Sequence, residues 1–136
     1  MTQATIPDFI VIDDDTVNNL ICTKMLQLLI PGCNIETYTW PEQALQQIAE
    51  KYPQDGKEFV VFLDIDMPGL TGWEMLTDLV ALPPQVQQLM KIIVLTSSDN
   101  DDDRRRAEKS PMITAFLSKP LSQAKLKEHF PDIVLS

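Results

Sequence analysis

The stretch Phe59-Val60-Val61-Phe62-Leu63-Asp64 decides the fold. Five apolar residues in a row leave no polar face, so the run reads as a strand buried on both sides, the kind found in parallel sheets covered by helices. Asp64 sits where that run ends, and the tract Met67 to Gly72, with its Pro and two Gly, is loop chemistry. Upstream, Phe9-Ile10-Val11-Ile12 is a second run of the same kind and ends in Asp13-Asp14-Asp15. Asp15 or Thr16 can cap the helix that follows. In that helix Val17, Leu20, Ile21, Met25 and Leu28 recur at helical spacing, while Asn18, Asn19, Lys24 and Gln27 fall on the other side. Pro31-Gly32 stops it. A strand around Asn34 to Tyr38 comes next, and Thr39 to Glu42 then reads as a capping box. The helix it opens has the face Pro41, Ala44, Leu45, Ile48, Ala49 and Tyr52.

Downstream, Trp73, Leu76, Leu79 and Val80 mark a third helix, broken at Pro83-Pro84. Ile92 to Leu95 is a fourth strand ending in Thr96-Ser97-Ser98, and a charged stretch, Asp101 to Arg106, belongs to a fourth helix. Ile113 to Leu117 is a fifth strand ending in Ser118-Lys119-Pro120, and a final helix covers about Gln123 to Phe130. Five strands thus alternate strictly with five helices, which specifies an α/β, doubly wound sheet. The 136 residues suffice for one domain, 1–136, with its core at about 8–130 and short tails at 1–7 and 131–136.

Twenty acidic residues against 11 basic ones give a net charge of -9. Nucleic acid and anionic membrane surfaces are therefore not expected as direct partners. The apolar runs are far shorter than the roughly 20 residues that span a bilayer, and the N-terminus lacks a signal-peptide layout, so a cytoplasmic protein is expected. Cys22 and Cys33 have no CxxC partner and read as structural thiols. The sole histidine, His129, fits a favourable position near a helix C-terminus.

In doubly wound sheets, ligands bind beyond the carboxyl ends of the strands, where the strand order reverses. If the order is 2-1-3-4-5, the first, third, fourth and fifth strands are neighbours there. Asp13, Asp14, Asp64, Thr96 and Lys119 then converge on one edge. Three carboxylates that close raise one another's pKa, and a hard divalent cation, Mg²⁺ (or Mn²⁺), is the natural remedy. One carboxylate could then act as a nucleophile toward a phosphoryl group, with Lys119 and Thr96 meeting its charge and oxygens.

Asp13-Asp14, the run Asp64-Ile-Asp-Met-Pro68 with Gly72 beyond it, Leu95-Thr96-Ser97, and Phe116-Leu-Ser-Lys119-Pro120 together resemble the receiver domains of two-component response regulators. The resemblance spans about Phe9 to Phe130 and implies a flavodoxin-like sheet. It implies that Asp64 is the phosphoacceptor, charged by a sensor histidine kinase or a histidine phosphotransfer protein. Asp14 would bind Mg²⁺ directly and Asp13 largely through water, with the backbone carbonyl of Asp66 completing the ligands. Thr96 and Lys119 would meet the phosphoryl oxygens, Phe116 would be the aromatic switch, and the Lys119-Pro120 peptide would be cis. Asp66 and Ser98 would set the lifetime of the phosphate. Catalysis would be self-directed only, so no turnover enzyme is expected.

An enzyme of the haloacid-dehalogenase type is the alternative, with Asp64 and Asp66 as nucleophile and acid. That family places its nucleophile on the first strand, whereas two strands precede Asp64. A flavodoxin-like electron carrier would need a glycine- and hydroxyl-rich loop where Asp13-Asp14-Asp15 stands. Between Asn100 and Lys109 the only apolar residue is Ala107, so the fourth helix is expected to be mobile and solvent-exposed. The resemblance makes the fourth helix, fifth strand and fifth helix the signalling surface, through which weak dimers could also form. Only Pro131 to Ser136 follow the last helix, so a stand-alone receiver acting on a protein target or relaying phosphate is expected.

Overall fold

In the computed structural model the described residues are 7–55, 57–65, 72–96, 101–110, 113–119 and 121–129, without the side chains of 52–55, 101, 103 and 129. Five strands form one parallel sheet: β1 (Asp8–Ile12), β2 (Ile35–Tyr38), β3 (Phe59–Asp64), β4 (Met90–Thr96) and β5 (Ile113–Ser118), in the order β2-β1-β3-β4-β5. Every residue of β1 and β3 is buried, the apolar runs as central strands require and Asp8 and Asp64 at their ends with them. The register sets Ile12 beside Leu63 and Asp64 beside Leu95. It also sets Thr96 beside Ser118, so the carboxyl ends of four strands finish level with one another.

Among the described residues six helices cover the sheet: α1 (Thr16–Leu29), α2 (Pro41–Asp55), α3 (Gly72–Val80), α4 (Pro84–Gln87), α5 (Asp101–Glu108) and α6 (Gln123–His129). The expected strict alternation is therefore broken by one extra turn of helix. Pro83-Pro84 ends α3 but does not end helical structure, because Pro84 stands at the start of α4, where its missing N–H costs nothing. Val86 is buried and fastens that turn to the core. The fourth and fifth predicted helices are accordingly α5 and α6. Two apolar layers result. One packs Ala44 and Ile48 of α2 and Met75 and Leu79 of α3 against Ile10, Ile12, Val61 and Leu63. The other packs Cys22, Leu26 and Leu29 of α1 and Leu126 of α6 against Phe9, Val11, Val60 and Phe62.

The expected face of α1 is right only in part: Met25 packs against the core, but most of the face turns outward. Val17, Leu20 and Leu28 are 63%, 55% and 63% exposed, and Asn18, Asn19, Cys22, Leu26 and Leu29 are the buried side. Leaving a large aliphatic side chain in water forgoes roughly 1.5–3 kcal/mol, so something must fix this phase against that cost. Asn18 and Asn19 both bond to Asp13, and those two hydrogen bonds turn the helix. In α2, Pro41, Ala44 and Ile48 face inward as expected while Ala49 is exposed. That helix starts at Pro41 with the Trp40 carbonyl accepting from Gln43 and Ala44, one residue later than a capping box on Thr39 would set it.

Gly72 opens α3 against the end of β3. A Cβ there would lie 2.5 Å from the Asp64 carbonyl oxygen and press on the Ile65 backbone, so only glycine fits. Gly72→Ala is expected to cost about 1–3 kcal/mol by overpacking. The check is a urea titration: a lower midpoint at unchanged slope is expected, and an unchanged midpoint would mean that the junction yields freely.

Candidate functional site

Asp13, Asp14 and Asp64 each offer a carboxylate oxygen, and the three oxygens lie within 4.8 Å of one another at the carboxyl edge of the sheet. Asp13 directly follows β1, where its N–H bonds to the Tyr38 carbonyl at 3.0 Å, and Asp64 is the last residue of β3. Asp13 is 1% exposed and Asp64 2%, whereas Asp14 opens to solvent. Two unit charges at that separation repel by about 3 kcal/mol at an effective dielectric constant near 20. Burial of two of the three therefore demands a cation.

Lys119 supplies one. Its ammonium lies 2.7 Å from Asp13 Oδ2 and 3.2 Å from Asp64 Oδ2. The backbone N–H of Lys119 bonds to the Thr96 carbonyl at 2.8 Å, which ties the end of β5 to the end of β4. Thr96, the last residue of β4, is fully buried. Burial alone would lower the Lys119 pKa, but the hydrogen bonds and charges of Asp13 and Asp64 outweigh it and hold the ammonium above the ordinary lysine value. A group raised in this way contributes stability that is lost only as pH rises beyond 10.5, so the bridge persists across the neutral range. Asp14 titrates above the ordinary aspartate value because its partial burial disfavours charge and Asp13 adds a hydrogen bond and like-charge repulsion. Its own backbone N–H and Lys119 pull the other way.

Asp13 is the most heavily bonded member. Its Oδ1 accepts from the Asp15 N–H at 2.9 Å, its Oδ2 accepts from Asn18 Nδ2 at 2.5 Å as well as from Lys119, and its backbone carbonyl accepts from Asn19 Nδ2 at 3.0 Å. Asp15 caps α1, accepting from the Val17 N–H at 2.9 Å, which resolves the choice between Asp15 and Thr16. Asn18 and Asn19 were placed by periodicity on the solvent side. The signal that could have found them is chemical: two adjacent asparagines inside a helix are poor formers unless their amides have work elsewhere.

Phe116 lies on β5 beside Val94, half-buried, with the Arg104 guanidinium 5.6 Å from its ring centre. Arg106 stands 4.3 Å over the ring of Trp73 in α3. The helix expected to be loosely held is thus attached through Ala107, which is buried, and through two cation–π contacts, each worth about 0.5–1 kcal/mol at exposed positions. Its arginines are exposed as expected, and Asp102 and Arg105 pair at 3.9 Å. Asp66, Ser98 and Pro120, and with Pro120 the Lys119-Pro120 peptide, lie outside the described residues. Away from the site, Cys22 is buried and its thiol is pushed up to about 12 by desolvation, aided by the Asp13 charge, which makes it inert near neutral pH.

The acidic nook bridged by Lys119 thus lies at the carboxyl ends of the strands, where doubly wound α/β domains bind their ligands. The response regulator receiver domain model matches residues 9–130, so the chain belongs to that family. A two-component response regulator from Cytophaga hutchinsonii superposes with a TM-score of 0.85 at 25% identity, covering 96% of this chain and 98% of that one. A response regulator receiver protein from Dyadobacter fermentans gives 0.80, also at 25% identity, over 92% and 98%. Stress response regulator protein 1 of Scheffersomyces stipitis is 33% identical over 76 residues, 56% of this chain. That match spans only 25% of the relative's length.

The weight carried by the bridge is testable. Lys119→Met should destabilise the chain by roughly 3 kcal/mol near neutral pH, since it strands two buried carboxylates. Losing the ammonium removes one of the influences that lower Asp14, so the folded chain holds protons that the unfolded chain has released above about pH 4. Its stability should therefore fall as pH rises from 4 to 7, and Mg²⁺ should restore part of it. A variant melting like the parent at every pH would remove the electrostatic account.

Proposed function

We propose that the chain is a phosphoacceptor switch in a two-component or phosphorelay pathway, acting in the cytosol as one domain. The observation that carries this reading is the Lys119 ammonium set between Asp13 and Asp64 at the edge where three carboxylates meet. In the proposed reaction a carboxylate oxygen of Asp64 attacks the phosphorus of a phosphohistidine on a kinase or phosphotransfer partner. The P–N bond breaks, its electron pair returns to the imidazole, and an aspartyl phosphate forms. The residues fit a hard divalent ion, Mg²⁺ or Mn²⁺, because all three side chains offer oxygen and one is open to water. When bound, that ion would supply the positive charge that lets the acidic edge accept a phosphoryl group.

The protein's own groups do the rest. Lys119 already lies 3.2 Å from Asp64 and pairs with the incoming oxygens, and Thr96 offers a hydroxyl from the neighbouring strand end. Phe116 turns inward when Thr96 shifts, which would break the Arg104 contact and alter the surface of α5, β5 and α6. Phosphate lifetime is assigned to Asp66 and Ser98, and the two receptive surfaces are distinct. The partner that donates the phosphoryl group gains an apolar foothold on Val17 and Leu20, just beyond the acidic run, whereas the α5 surface addresses the downstream target.

Incubation with acetyl phosphate and Mg²⁺ tests the reading. One phosphoryl group per chain is expected on Asp64, absent in Asp64→Asn and without a divalent ion. Sustained turnover of a generic phosphomonoester would favour the hydrolase alternative instead. Leu20→Glu should slow transfer from a phosphohistidine partner tenfold or more while leaving acetyl phosphate labelling unchanged, and equal loss from both donors would remove the docking role.

A further inference from the structure

Resting on that reading, we infer that Asn18 is a positioning residue for phosphoryl transfer, acting through Asp13. Asn18 lies in the first turn of α1 and is 6% exposed. A buried amide in a helix costs both helix propensity and desolvation unless it is bonded, and here its donor is committed to Asp13 Oδ2 at 2.5 Å. That same oxygen accepts from Lys119 at 2.7 Å. The two donors are not equivalent. Lys119 is a charge on a flexible stem already shared with Asp64, so an aspartyl phosphate draws it away from Asp13. Asn18 is neutral, short and fixed to the helix, so it cannot follow.

Once Lys119 turns to the phosphoryl oxygens, Asp13 Oδ2 would be a buried anion without a side-chain donor, were it not for Asn18. Its amide keeps the carboxylate hydrogen-bonded and fixes its plane, while the Asp15 N–H holds Oδ1 from the other side. Asn18 thereby lowers the cost of releasing Lys119 and keeps Asp13 aimed at the ion. Asn19 offers a built-in comparison, since it grips only the backbone carbonyl of Asp13.

The experiment uses the full chain. Asn18→Leu keeps the branched outline of the side chain and removes the donor. Mg²⁺ affinity is measured by calorimetry on the unphosphorylated protein, and the labelling rate by acetyl phosphate is measured at saturating Mg²⁺. Both should fall about tenfold, the lower end of what loss of a ligand-orienting partner costs. Asn18→Gln, which restores an amide, should recover part of each, and Asn19→Ala should lower the melting temperature with less than a threefold change in either. A folded Asn18→Leu chain within twofold of the parent in both would overturn the inference, as would equal losses in Asn18→Leu and Asn19→Ala. If Asn18→Leu does not fold, Asn18→Ser is read by the same criteria. A parent chain that neither binds Mg²⁺ nor takes the label would instead refute the proposed function.

Discussion

Placing one ammonium between two buried carboxylates is the constraint around which the rest of the molecule is organised. Asp13 and Asp64 stand at the ends of adjacent strands, where the parallel register makes their approach unavoidable. Uncompensated, that approach would oppose folding by several kcal/mol. The compensation arrives from the far edge of the sheet, because Lys119 follows β5, and β4 alone separates β5 from β3. Four strands, β1, β3, β4 and β5, must therefore be paired in the right order before the charge balance closes. The site is a late reward of folding rather than a local motif, and its electrostatics depend on long-range strand pairing.

The balance is also incomplete, which suits a switch. Three carboxylates face one lysine, and desolvation, with Asp13 beside it, raises Asp14 above the ordinary aspartate value. An excess of anionic charge at a mostly buried site is a standing demand for a cation, and a phosphoryl group arriving with its own charge changes which partner the lysine prefers. At the opposite end of β1 the corresponding problem is solved fully: Asp8, buried, meets Lys57 at 2.8 Å and accepts from Asn34 at 3.2 Å. One end of the strand is a closed ion pair and the other an open one. Ligand chemistry belongs at the open end.

Much of this was legible in the chain itself. Phe59 to Leu63 and Phe9 to Ile12 could only be central strands, and residues at the ends of parallel neighbours must meet, so the grouping of Asp13, Asp14 and Asp64 followed from topology. What periodicity misread was α1, and the reason is physical. That helix carries two apolar stripes, and counting aliphatics favours Val17, Leu20, Ile21, Met25 and Leu28 over Cys22, Leu26 and Leu29. The phase is decided by polar atoms instead, since Asn18 and Asn19 must reach Asp13. A hydrophobic-face rule has no term for buried amides that donate to the site. Proline gave the second misreading, because Pro83-Pro84 can terminate one helix and begin another.

The weakly buried helix α5 follows from the same division of labour. Under the proposed switch, a helix that changes its surroundings with the site cannot be anchored by a large apolar face, whose loss would cost several kcal/mol. Ala107 provides one small buried contact, and the remaining hold comes from guanidinium groups over Phe116 and Trp73. Such contacts are worth little individually and re-form easily on another ring or in water, so exchanging them needs only the differential energy that a single phosphoryl group can provide. Arg104 reaches the ring on β5, and β5 is tied through Lys119 to both carboxylates. Under the proposed switch, a shift of that lysine would reach α5 along this path. In the proposed switch, the charged composition that makes α5 look unfinished as a packing element would keep its two arrangements close in energy.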